Sequence, residues 1–90
     1  MALLLYPDGS EVIIQPKNGH DFSLDELKSC IGGGWIELVY LDDGRIMVID
    51  EEGKLKRQKY NINATRMLND PLLRDYIAGI ALVCNTKEIE

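Results

Sequence analysis

The sequence predicts an α+β domain: a small mixed β-sheet with one helix packed across it. Ser23 stands three residues ahead of Glu26 at the start of an apolar helical pattern, the signature of a helix N-terminus. Asp42-Asp43-Gly44 separates two β-rich runs and reads as a hairpin turn. Two continuously apolar runs, Ala2 to Tyr6 and Tyr76 to Cys84, suit neighbouring strands at the centre of a sheet.

The elements follow in order. Ala2 to Tyr6 forms a first strand, ended by the turn Pro7-Asp8-Gly9-Ser10, in which Pro presets one dihedral and Gly supplies the other. Glu11 to Gln15, rich in β-branched residues, returns as the second strand of a hairpin and stops at Pro16. Phe22 and Leu27 flank the Ser23–Glu26 capping box at hydrophobic-staple positions, and Leu24, Leu27 and Ile31 share one helical face. Gly32 to Gly34 close that helix. Trp35 to Leu41 and Arg45 to Ile49 form the second hairpin, and Glu51-Glu52-Gly53-Lys54 makes another turn. Leu55 to Tyr60 is polar, basic and extended. Asn61 to Asn69 suits a short helix or 3₁₀ turn capped by an Asn and stopped before Pro71. Tyr76 to Cys84 is the last, central strand. The order ββαββ–(short helix)–β, with the first and last strands adjacent, resembles a β-grasp, or ubiquitin-like, sheet. Fold alone gives no function.

Ninety residues leave no room for a second core, so residues 1–86 are expected to be one domain, with a flexible acidic tail at 87–90. The net charge of -5 opposes non-specific binding to nucleic acid and disfavours a DNA-binding role. No run approaches the roughly 20 apolar residues that cross a bilayer. The leucines at 3–5 lack the basic leader and length of a signal peptide, so a cytoplasmic location is expected. Cys30 and Cys84, far apart in sequence, read as buried thiols of a reducing compartment.

Catalytic and metal chemistry find little material. The chain has one histidine, His20, in a Gly-His-Asp turn, and Asp42-Asp43-Gly44 lacks calcium-loop spacing. No cofactor site is expected, and the chain is read as non-enzymatic. The run Lys54, Lys56, Arg57 and Lys59, followed by Tyr60, Asn61 and Arg66, suits an anionic ligand, with cations for phosphate and a ring for stacking. The alternative is a solvated edge strand whose lysines block edge-to-edge pairing. In the second hairpin, alternation puts Trp35, Glu37, Val39 and Leu41 on one face and Ile36, Leu38 and Tyr40 on the other. Met47 and Ile49 likewise oppose Ile46 and Val48. A sheet apolar on both faces needs more cover than one helix gives, which makes Trp35, Tyr40, Met47 and Ile49 candidate interface residues.

The block from Ile31 to Cys84 resembles a family of short proteins of unknown function encoded mainly by bacteriophages, prophages and plasmids. The resemblance rests on Gly33-Gly34 before a strand, Asp43-Gly44, Glu51-Glu52-Gly53-Lys54, Asn61 with Ala64 and Thr65, and Tyr76-Ile77-Ala78-Gly79. It implies a mobile-element origin, a bacterial host cytoplasm and an accessory role. The expected function is a binding protein that forms a homodimer or higher homo-oligomer and binds a host protein, as an antagonist of host defence. The alternative is sequestration of a small anionic nucleotide signal at a subunit boundary.

Overall fold

In the computed structural model, which describes residues 2–68 and 75–89, five strands and two helices form. The first hairpin pairs β1 (Ala2–Leu5) with β2 (Glu11–Ile14), and the second pairs β3 (Ile36–Tyr40) with β4 (Arg45–Asp50). Between them lies α1 (Leu24–Cys30). The Ser23 hydroxyl accepts from the Glu26 N–H at 3.2 Å, and the Glu26 carboxylate accepts from the Ser23 N–H at 3.1 Å, so the expected capping box is complete. Phe22 and Leu27 both enter the core beneath the helix. α2 (Ile62–Met67) follows β4, and β5 (Ala81–Asn85) ends the sheet.

The strand order is β2-β1-β5-β4-β3, so the first and last strands are neighbours at the centre, as expected. The sheet expected to mix directions is antiparallel in all four ladders. An apolar run marks a central strand but carries no information on its direction, which is set by where the preceding segment crosses the sheet. That segment begins at α2, whose Ala64 packs on the sheet face away from α1. Leu4, Ile46, Val48 and Leu82 meet α1 on one face, while Leu5, Met47, Ile49 and Val83 meet Ala64 and Ile77 on the other. The sheet is therefore covered on both sides by its own chain.

That cover corrects several expectations. Met47 and Ile49 are buried among α2 and Ile77 and do not reach the surface. The alternation of the hairpin is as read, since Val39 faces Met47 and Leu38 faces Val48; what the pattern missed was the cover. The last apolar run splits: Gly79, at φ +89°, interrupts the extended chain, so Ile77 and Ala78 form the cover and only Ala81 onward is strand. Hydrophobicity alone cannot separate a central strand from a buried crossing segment. The end of the chain is also anchored. Thr86–Glu88 form a 3₁₀ turn capped by Asn85, the Glu88 carbonyl accepts from the Phe22 N–H at 2.7 Å, and Ile89 packs on the α1 core. Hydrogen bonds and burial through residue 89 replace the expected frayed tail. Asn69 and Pro71, expected to close the second helix, and Glu90 lie outside the described residues.

Candidate functional site

The residues expected to hold a ligand sit in the segment that joins β4 to α2, and it is not extended. Residues 51–57 form consecutive turns, in which the Gln58 N–H bonds the Gly53 carbonyl at 3.1 Å and Arg57 takes the left-handed region at φ +56°. The cause is Asp50 at the end of β4. Its carboxylate is almost wholly buried, and it accepts from the Lys56 ammonium at 2.9 Å, the Gln58 amide at 3.0 Å and the Glu52 N–H at 2.9 Å. Burial pushes the Asp50 carboxyl up, but the hydrogen bonds from Lys56, the Glu52 backbone and Gln58 outweigh it and hold it below its ordinary value of 3.8. Three donors on one buried acid wind the following turns into a fixed knot.

The knot docks on the segment leading to β5. Gly53 lies so close that a Cβ would stand 2.7 Å from the Ala78 carbonyl oxygen, too near for any other side chain. Asn61 is fully buried beyond it. Its amide donates to the carbonyls of Leu5 at 2.9 Å and Gly79 at 2.8 Å, and its side-chain oxygen accepts from the Ala64 N–H at 3.1 Å, capping α2. The Asn61 N–H also bonds the Ile77 carbonyl at 2.8 Å, and the Thr65 hydroxyl accepts from the Ile77 N–H at 2.8 Å. Gly53, Asn61, Ala64, Thr65 and Gly79 are thus bound up in holding α2 and its return to the sheet.

The expected ligand set separates accordingly. Asn61 is structural and closed to any ligand. Lys56 is taken by Asp50. Lys54 pairs with Asp75 and lies 4.4 Å over the Tyr76 ring. Tyr60 stacks at a tilt on Tyr76, ring centroids 5.9 Å apart. Arg57, Lys59 and Arg66 are exposed, and the cavity that Lys59 lines with Tyr6, Ile31 and Gln58 includes neither Arg57, Tyr60 nor Arg66. The cavity beside Lys54, about 130 Å³, is also lined by Glu37, Asp50, Glu51 and Asp75.

Several large apolar and aromatic side chains stay exposed. Tyr60 and Tyr76 are about half exposed, and Leu55, in the turn beside Lys54, is 81% exposed. At the far hairpin Trp35 is 65% and Tyr40 73% exposed, with the Lys28 ammonium 5.1 Å over the Trp35 ring. Sequence reading found Trp35, Tyr40, Tyr60 and Lys54 but missed Leu55, Asp75 and Tyr76. Tyr76 looked like the first residue of a strand, and only tertiary contact sets it against Tyr60. Among the described residues no group of three His, Cys, Asp or Glu could hold a metal, and no helix is long and apolar enough to cross a membrane.

These features define a small α+β domain in which an antiparallel sheet lies between α1 and a turn-and-helix element locked by buried polar groups. The family model described as a domain of unknown function, DUF3846, matches residues 1–90, and the chain belongs to that family. No curated protein and no solved structure matches it.

Proposed function

We propose that the protein is a non-enzymatic binding module, carried by a phage or related mobile element in a bacterial cytoplasm, that self-associates and binds a host protein, acting against host defence. The observation that carries this reading is the exposed Tyr60–Tyr76 pair with Lys54 laid over Tyr76 and the exposed Leu55 next to Lys54 in the chain. Exposed tyrosines beside a cation offer large contact area with little rotamer entropy to lose, as protein-binding hot spots do.

The nucleotide reading is weaker for a stated reason. The cavity beside Lys54 has four carboxylate residues to one ammonium, a field that repels phosphate. Its volume, about 130 Å³, is also below the roughly 300 Å³ at which small-molecule pockets begin.

Affinity capture from host lysate tests the reading with three baits: the unaltered chain, Tyr76→Ala, and Leu55→Ser. One and the same host protein should be retained by the first and lost at least tenfold by the other two. Equal retention by all three baits would remove the tyrosine surface from the reading. A melting shift of several degrees with a nucleotide, abolished in Arg57→Glu, would replace it with the sequestration alternative.

A further inference from the structure

We infer that two copies of this chain join through the open edge of β3, antiparallel and about a two-fold axis at Leu38, to make one continuous sheet. The inference rests on the self-association in the proposed function and supplies its geometry; it does not depend on the Tyr76 surface.

The pairing pattern fixes which backbone groups are open. The Leu41 N–H bonds the Arg45 carbonyl at 2.9 Å, and the Glu51 N–H bonds the Trp35 carbonyl at 2.9 Å. Antiparallel ladders alternate, so residues 35, 37, 39 and 41 bond to β4, while Ile36, Leu38 and Tyr40 aim their N–H and C=O groups off the edge. Among the described residues β3 is the last strand in the order, so those groups point away from the sheet. A second β3 across a two-fold at Leu38 meets them in register: Leu38 on Leu38 and each Ile36 on a Tyr40. All three share the α1 side of the sheet, because their β4 partners Ile46 and Val48 belong to that core. On the other side each Glu37 stands across from a Val39, so no charge directly opposes its copy.

β2, at the other end of the sheet, is a poorer edge. It has four residues and is followed by Pro16, which has no N–H to extend a ladder. β3 has five residues, no lysine and no proline. Size also favours β3. Trp35 precedes it and Tyr40 ends it, and an aromatic side chain buries about 150–250 Å². About two-thirds of each ring is exposed in one copy, so four rings in a dimer can supply about 400–700 Å² toward the roughly 1,000 Å² of a specific interface, with the strand edges adding to it. An apolar groove of about 240 Å³, lined by Phe22, Leu24, Leu27, Ile36, Leu38 and Ile89, flanks β3 on the side where Tyr40 of the second copy meets Ile36. The dimer joins two five-stranded sheets and leaves Tyr76 of each copy on its own surface.

Light scattering on the full chain should give twice the 10.2 kDa of one copy. Tyr40→Pro deletes the ring and an N–H that β4 does not use, so it should give a folded monomer with unchanged circular dichroism, as should Tyr40→Lys. Leu38→Cys places two thiols at a paired position with Cα atoms about 5.5 Å apart, within disulfide range. Mild oxidation should therefore yield a covalent dimer, where the unaltered chain and Ile13→Cys yield none. A monomeric natural chain, or cross-linking through Ile13→Cys in place of Leu38→Cys, overturns the proposal. Host-protein capture by the Tyr40→Lys monomer separates the two readings. Its retention with loss in Tyr76→Ala upholds the binding surface even if the edge pairing fails.

Discussion

Lys54 and Lys56 lie two residues apart in one basic run, and their surroundings differ completely. Lys56 reaches a carboxylate sunk in the protein, Asp50, which also holds Gln58 and the Glu52 N–H. Lys54 meets an exposed acid, Asp75, and rests on an exposed ring, Tyr76. A charged residue near a buried partner organises the chain; the same residue near an exposed partner decorates a surface available for contact. The buried side, Asp50 to Asn61, fixes the turns and α2 on the sheet. The exposed side, Lys54 with Tyr60 and Tyr76, carries the binding reading.

Asn61→Ala tests the buried side hardest. It strands the carbonyls of Leu5 and Gly79 and the Ala64 N–H in a site closed to water. Each unsatisfied buried group costs about 1–3 kcal/mol, so a loss of about 3–5 kcal/mol is expected. In a domain of this size that leaves little net stability, and urea unfolding should show a midpoint near zero denaturant or no cooperative transition. A loss below about 1 kcal/mol would mean that water reaches those groups and that α2 is not locked in place.

Asp50→Asn comes next, at about 1–3 kcal/mol, because it weakens the bond to Lys56 and sets an amide N–H₂ against donors. Asp50 also predicts a pH dependence. Its folded pKa lies below 3.8, so the unfolded chain binds the proton first as pH falls. The stability it contributes is complete above about pH 5 and is lost as pH drops through 3.8 toward the lower folded value. Thermal melts from pH 7 to pH 2.5 should therefore show a smaller acid-induced fall for Asp50→Asn than for the natural chain. Some fall persists, because Asp8, Asp43 and Asp75 are held low by their own hydrogen bonds. Identical pH profiles would show that Asp50 is not paired in solution.

How far the sequence foretold this comparison depended on the range of the interaction. The Ser23–Glu26 box, the two hairpins and the face alternation of β3 and β4 are local, set within a few residues, and were legible. A cap by one Asn was legible but not which one; the two longest-range bonds of Asn61, to Leu5 and Gly79, have no sequence signature, so its amide looked available for a ligand. Met47 and Ile49 looked like surplus apolar surface because the covering segment, Ile77 and Ala78, itself looked like strand. Asp50 escaped notice because an acid at the end of a strand before Glu51-Glu52 reads as part of a polar turn; only burial separates it from its neighbours. Tyr76 was missed for the same reason, since its contact with Tyr60 spans 16 residues of chain.

Cutting the exposed pair gives the smallest expected effect and sharpens the contrast most. Lys54→Met keeps an aliphatic stem over Tyr76 but removes the ammonium from Asp75, whose side chain is 62% exposed. Surface ion pairs contribute about 0–1 kcal/mol, so the melting temperature should barely move. If Lys54 belongs to the binding surface, capture of the host protein should fall while stability stays within that margin. Adding 0.5 M salt should weaken capture by the natural chain more than by Lys54→Met, because screening acts only where the charge remains. A stability loss as large as that of Asp50→Asn would instead place Lys54 with the buried side. The division between a structural and an exposed half of the basic run would then be drawn in the wrong place.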